Sequence, residues 1–195
     1  MITALIVATV LAAPAISDTT QMRTQERQRL DQFHVSAGRA VLQAMSGGTL
    51  GDVDLLQEAL SGSPLPAFGT SLAGQWDCRT IKLGGLTPLT VYAPFKCEIT
   101  PDGTAFNFVK STGSQRGIGR ITLQDGAIIY LGVGHVADAD PMLYSDLPPE
   151  DFGDGIYQPQ VGIVEQTSLN TARIMFPAPV NESLFDLLYL TRVNN

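Results

Sequence analysis

The sequence predicts a mainly β protein, α+β by content: a small antiparallel barrel of about eight strands behind an N-terminal helical extension. Three observations carry that expectation. Glycine (19) and proline (12) are plentiful among the 195 residues and fall between short apolar runs, as they do where many strands are joined by turns. After residue 70 the apolar residues recur in short runs at strand spacing. Before residue 47 they recur every three or four residues, the period of a helix face.

The N-terminal run ITALIVATVLAAPAI, residues 2–16, is too short for a comfortable membrane span. Ala13-Pro14-Ala15 and Ala15-Ile16-Ser17 put small residues at alternate positions, as signal cleavage requires. Residues 1–17 are therefore read as a signal peptide and the mature chain as periplasmic or secreted. A basic n-region is missing, and an uncleaved anchor is the alternative. No cysteine follows the run, which excludes a lipoprotein, and no later segment is apolar enough to span a bilayer. The organisation that follows is a helical segment over 18–62 and a barrel-like domain over 63–195.

Residues 18–46 read as helix, with Asp18, Thr19 and Thr20 as capping candidates. Leu30, Phe33, Ala37, Ala40, Val41 and Ala44 form one stripe. Because the stripe begins only at Leu30, the first two turns are expected to be frayed or free. Gly47-Gly48 ends the helix. Gly51–Leu60 reads as a short second helix with acidic residues at its start, favourable against the helix dipole. Residues 61–66 link it to the body.

The body opens with Trp76, Asp77, Cys78, Arg79 and Thr80, which hold the only tryptophan and one of two cysteines. Alternation places Trp76 and Cys78 on one face. Val91, Phe95, Cys97 and Ile99 share a face of the next run, and Gly84–Pro88 supplies the turn between. A hairpin folded there sets Cys78 roughly opposite Cys97 within a buried cluster, with an edge or bulge at Pro94. A Cys78–Cys97 bridge closing that loop is worth about 3 kcal/mol by chain entropy. Export favours the bridge, and two buried thiols are the alternative. Further strands are expected at 105–110, 115–123, 127–133, 160–166, 172–176 and 184–193. Asp125-Gly126 makes a tight hairpin turn. The last strand has a helical alternative around residues 181–190. Residues 134–159 read as one long acidic loop, and loops of that length are usually functional or disordered.

Charge narrows the functional classes. The net charge is −7, which disfavours nucleic acid as a partner. From Ile121 to Ala172 there is no Lys or Arg, against eight acidic residues. No nucleophile elbow is present, and no zinc motif. His135, read as opening the acidic loop, could exchange protons with a carboxylate such as Asp138. A plain loop histidine is the simpler account. Asp138, Asp140, Glu150, Asp151 and Asp154 supply hard oxygens that suit calcium, but without the twelve-residue pattern; a solvated acidic loop explains them equally. Arg116 and Arg120, four apart, share a strand face, with Gly117 and Gly119 on the other. They are candidates for an anion-binding surface inside or at the mouth of the barrel, with Lys110 and Lys96 adding charge nearby. An ordinary exposed strand face is the alternative. The candidate ligand site is thus Trp76, Arg116, Arg120 and His135. No cofactor is expected.

Two resemblances add to this reading. Ala73-Gly74-Gln75-Trp76, a cysteine-stapled β body and Pro101-Asp102-Gly103 resemble the secreted bacterial inhibitors of serralysin-type metalloproteases, small eight-stranded barrels whose N-terminal trunk enters the protease cleft. Gly-x-Trp also opens lipocalin strands. Here the first cysteine lies only two residues after Trp76, and a long helical segment precedes the barrel. Trp76–Gly84, Phe95-Lys96-Cys97, Gly113–Arg116 and Tyr130-Leu131-Gly132 resemble an uncharacterised family of exported proteobacterial proteins with a domain of unknown function. That resemblance implies a fold and a compartment. The leading functional expectation is a non-enzymatic periplasmic binding module for a small ligand or an envelope protein. A protease inhibitor is the second, and a hydrolase using His135 and an acidic-loop carboxylate the third.

Overall fold

The computed structural model describes residues 21–66, 70–148 and 155–193; the expected signal peptide lies outside them. Three helices come first: α1 (Thr24–Asp31), α2 (Phe33–Gly47) and α3 (Leu50–Leu60). Nine strands follow: β1 (Gly74–Leu83), β2 (Leu89–Val91), β3 (Phe95–Asp102), β4 (Ala105–Lys110), β5 (Gln115–Gln124), β6 (Ala127–Val136), β7 (Tyr157–Gln166), β8 (Thr171–Pro177) and β9 (Phe185–Arg192). β1 pairs antiparallel with β3, each of β3 to β8 pairs antiparallel with the next, and β9 pairs back onto β1 from Trp76↔Arg192 to Leu83↔Phe185. The result is a closed eight-stranded antiparallel barrel, with β2 as an extra strand beside the upper half of β1. Closure removes the exposed edges that an open sheet of this size presents.

Strand alternation divides the apolar residues into an inner and an outer set. Trp76, Cys78, Cys97, Ile99, Phe108, Tyr130, Ile174 and Leu190 belong to the buried cluster that fills the barrel. Ile81, Leu83, Met175, Phe185 and Leu187 point outward and are covered by Ala40 and Ala44 of α2 and Leu56 and Ala59 of α3. The alanine stripe read from sequence therefore lets α2 lie close against the barrel wall. Thr49 caps α3, its Oγ1 accepting from the Asp52 backbone N–H at 3.2 Å. At the other end of α3, the buried Arg173 of β8 donates to the carbonyls of Leu60 (2.6 Å) and Ser61 (3.1 Å) while pairing with Glu165 at 2.5 Å. One guanidinium thus satisfies the open end of a helix and ties it to the barrel.

The start of the helical segment packs, contrary to the sequence expectation of free first turns. Met22 and Glu26 are both buried. Met22 joins an outer cluster with Ile129, Val133, Tyr144, Leu147 and Val161. Tyr144 donates its hydroxyl to Glu26 Oε2 at 2.6 Å, and Arg23 Nη2 donates to the Leu147 carbonyl at 2.6 Å. The anchor is polar, which is why an apolar stripe did not reveal it. Its partners, Tyr144 and Leu147, belong to the segment between β6 and β7.

The staple forms: Cys78 and Cys97 are disulfide-bonded with Cα atoms 5.9 Å apart. Their register differs from the simple hairpin. Residues 92–94, including Pro94, interrupt the run between β2 and β3, so that Cys97 lies opposite Trp76 and Cys78 opposite Phe95. The interruption also moves Val91 to the outer face, opposite Ile81. Residues 185–192 form a strand, not a helix. Asp125 (φ 49°) and Gly126 (φ 82°) adopt the two left-handed conformations of the expected tight turn.

Candidate functional site at the barrel mouth

The two ends of the barrel are built differently. At one end the strands are joined by short turns at 103–104, 125–126 and 167–170. That end is plugged. Trp76 is fully buried and donates Nε1–H to the Leu72 carbonyl at 2.9 Å. The Arg192 guanidinium lies 4.1 Å from the Trp76 ring centre and donates to the Ala73 and Leu169 carbonyls, each at 2.8 Å. Above the plug, Phe108, Tyr130 and Phe176 stack edge to face, with ring centres 5.4 and 5.6 Å apart.

At the opposite end three of the four connections are long, at 84–94, 137–156 and 178–184, while 111–114 is short, and here the barrel opens into a cavity of about 90 Å³. Phe108, Phe176 and Leu188 form its floor. The β5–β6 wall beside it is glycine. Gly117 pairs with Gly134 and Gly119 with Gly132. A Cβ on Gly119 would stand 2.5 Å from the Tyr130 ring, and one on Gly134 would stand 2.7 Å from Gln160 Nε2. The close approach expected opposite Arg116 and Arg120 is therefore made by side chains of the barrel itself. Tyr130 lies down along the glycine wall, donating toward Gln160 Oε1 at 3.2 Å.

The rim is charged and unevenly compensated. On one side Lys82 of β1 pairs with Glu182 of the β8–β9 connection. Beside it, Asp186 is pushed up to about 6 by burial, against the pull of a 2.5 Å hydrogen bond from Ser183 Oγ and the nearby Lys82 charge. Arg29 of α1 closes this side, donating Nη1–H to the Pro159 carbonyl at 2.8 Å, and burial lowers its pKa from the ordinary value. On the other side stand Lys110 of β4 and Arg116 of β5. Burial brings Lys110 down to about 8, and the Arg116 charge acts in the same direction. The Lys110 ammonium lies 4.0 Å from the Phe95 ring centre and donates to the Thr112 carbonyl at 3.1 Å. Among the described residues, no carboxylate forms an ion pair with either cation. Among the described residues the buried Arg116 Nε has no hydrogen-bond partner.

Of the four candidate ligand residues, only Arg116 lines this cavity. Trp76 is locked in the plug at the far end. Arg120 shares the outward-facing register with Arg116 but lies farther along β5, where it pairs with Asp102 at 3.0 Å. Lys96 is on the outside too, 2.6 Å from Asp77. His135 is not a loop residue. It belongs to β6, opposite Arg116 and Tyr157, and is buried on the outer face with Nδ1 3.0 Å from the Val136 carbonyl. Asp138 and Asp140 are exposed on the segment after β6. Glu150, Asp151 and Asp154 lie outside the described residues, and no grouping of three metal-ligating side chains occurs among those described.

Lys82, Asp186, Gln158 and Gln160 escaped the sequence reading, although a signal was there. Lys82 has the parity of Trp76 and Cys78, Lys110 that of Phe106 and Phe108, and Asp186 that of Leu188 and Leu190. A charge on the core-facing parity of a strand, at the end that meets a long connection, marks the mouth of a barrel.

A family model described as "Domain of unknown function (DUF4893)" matches residues 19–190, from before α1 into β9. The chain belongs to this family. The match to DUF4893 spans the helices, Trp76 of the plug and every strand that contributes to the mouth. No curated protein and no solved structure matches the chain. No helix among the described residues is long and apolar enough to cross a membrane.

Proposed function

We propose that this protein is an exported, non-enzymatic binding module that takes a small ligand into the mouth of its barrel. The cavity carries this reading. Protein interiors are close-packed, and this barrel is packed from Trp76 up to Tyr130 and Phe176, then leaves about 90 Å³ open beneath a polar rim. An apolar floor with a few convergent polar groups is the usual composition of a ligand site. Long connections around it are the usual place for recognition. The Cys78–Cys97 bridge supports an oxidising compartment, in line with the apolar run at residues 2–16.

The inhibitor alternative needs a free N-terminal trunk, whereas residues 22–60 are packed against the barrel. The hydrolase alternative needs His135 beside a carboxylate, whereas its Nδ1 meets a main-chain carbonyl.

The test is native mass spectrometry of the protein recovered from the periplasm, beside its denatured mass. The denatured mass reports signal cleavage and the loss of two hydrogens at the bridge. The native mass is expected to carry an added small molecule. Gly117→Val places a side chain in the mouth at ordinary backbone angles and should abolish that addition. A bare native mass, together with no perturbation of mouth resonances by any small-molecule probe, would overturn the proposal.

A further inference from the structure

We infer that the ligand is a small organic anion, with an oxyanion head held between Lys110 and Arg116 and an apolar body lying on Phe108, Phe176 and Leu188. The inference rests on the mouth being a ligand site and adds the chemistry it selects. It begins from a charge inventory. The charged groups lining the cavity are Lys82 on β1, Lys110 on β4, Arg116 at the start of β5, Asp186 on β9, Glu182 in the β8–β9 connection and Arg29 on α1. Lys82 is matched by Glu182, and Asp186 is acted on by both Lys82 and Arg29. That leaves Lys110 and Arg116, whose mutual effect is repulsive.

Two partly desolvated cations held together with no counterion among the described residues are costly to the empty protein. An oxyanion placed between them relieves that cost and gains charge-assisted hydrogen bonds. The floor adds the second requirement. Phe108, Phe176 and Leu188 offer apolar contact, so a bare inorganic anion leaves half of the site unused. The volume of about 90 Å³ limits the body to a short chain or a single ring. Carboxylates and phosphate monoesters share the required head.

The test is an NMR titration of the intact mature protein with four probes: hexanoate, hexyl phosphate, hexanol and inorganic phosphate. Wild type, Lys110→Met, Arg116→Met and, as a surface-charge control, Lys96→Met are compared. Hexanoate or hexyl phosphate is expected to shift resonances of β4, β5 and β9 at the mouth, and the tighter of the two identifies the head. Hexanol and inorganic phosphate should each bind about tenfold more weakly or less. Either mouth substitution should cost about tenfold or more, while Lys96→Met changes nothing. Affinity for hexanoate should hold near pH 7 and fall as pH rises through about 8, where the free Lys110 loses its proton; Lys110→Met should abolish that fall. Equal binding of hexanol, or mouth variants that bind hexanoate like wild type, would overturn the anionic head while leaving a ligand site in place. No response to any probe would overturn both.

Discussion

The two ends of this barrel are made from the same strands and solve opposite problems. At the plugged end the largest buried side chain and the charge beside it find their partners within the chain. Trp76 has Leu72 below it and Arg192 across it, and Arg192 in turn satisfies carbonyls of residues 71, 73 and 169. At the mouth, charges stand in positions where burial works against them. Lys110 is brought down to about 8 and Asp186 up to about 6. A group held away from its ordinary ionisation weakens the fold and is retained where it serves a site. The plugged end thus carries stability, and the mouth gives some of it up for recognition.

That contrast can be broken most sharply at Trp76. Trp76→Ala should destabilise the protein by about 3–5 kcal/mol through the lost burial and the cavity left behind, read by urea denaturation. A loss below about 1 kcal/mol would show that the plug is not the stable end. Next in size is the bridge, set between the plug and the mouth. Replacing Cys78 and Cys97 together by Ala should cost about 3 kcal/mol, since a bridge of sequence separation 19 restrains the unfolded chain. Reduction of the wild type should lower the melting temperature in parallel.

At the mouth the sign reverses. Asp186 has its folded pKa raised above the unfolded value, so the folded state holds the extra proton. Stability therefore declines as pH rises from about 4 through about 6 and stays low above that. Asp186→Asn should remove that decline and stabilise the protein at pH 7 by on the order of 2 kcal/mol, with the Ser183 hydrogen bond kept. Denaturation midpoints measured from pH 4 to 8 would check both statements. An unchanged pH profile would remove Asp186 as its cause.

The smallest effect is expected at Lys110, whose folded pKa is lowered. Its penalty is full below about pH 8 and disappears as pH rises toward the unfolded value near 10.5. Because the group is partly exposed, solvent screening reduces that penalty. Lys110→Met should therefore change stability by no more than about 1 kcal/mol at pH 7, the lost contact with Phe95 offsetting part of the gain. A loss comparable to that of Trp76→Ala would make Lys110 a structural residue and dissolve the contrast between the ends.

Much of this molecule can be read from its residues because its parts are local. The alternation around Trp76 and Cys78, the Asp125-Gly126 turn and the Ala37–Ala44 stripe each state a backbone geometry within a few positions. The cysteine pair was legible for the same reason, although its register was not. Three residues at 92–94 shift β3 against β1, and spacing alone does not show where such an interruption falls. The candidate site was legible in one residue of four. Arg116 lines the mouth, but Trp76, Arg120 and His135 lie in the plug, down the outer wall and beneath the outer surface. Which end of a strand meets long connections, and which parity faces inward, depend on closure between β1 and β9, over a hundred residues apart.

The strand and helix periods, the Asp125-Gly126 turn and the nearness of the two cysteines follow from the sequence, because neighbouring residues impose these on one another. That the helices seal the outer wall, that Tyr130 folds along a glycine wall, and that Lys110 and Arg116 stand together with no counterion among the described residues emerge only in the folded chain. Those outcomes depend on distances across the barrel, and packing and electrostatics act through space, not along the chain.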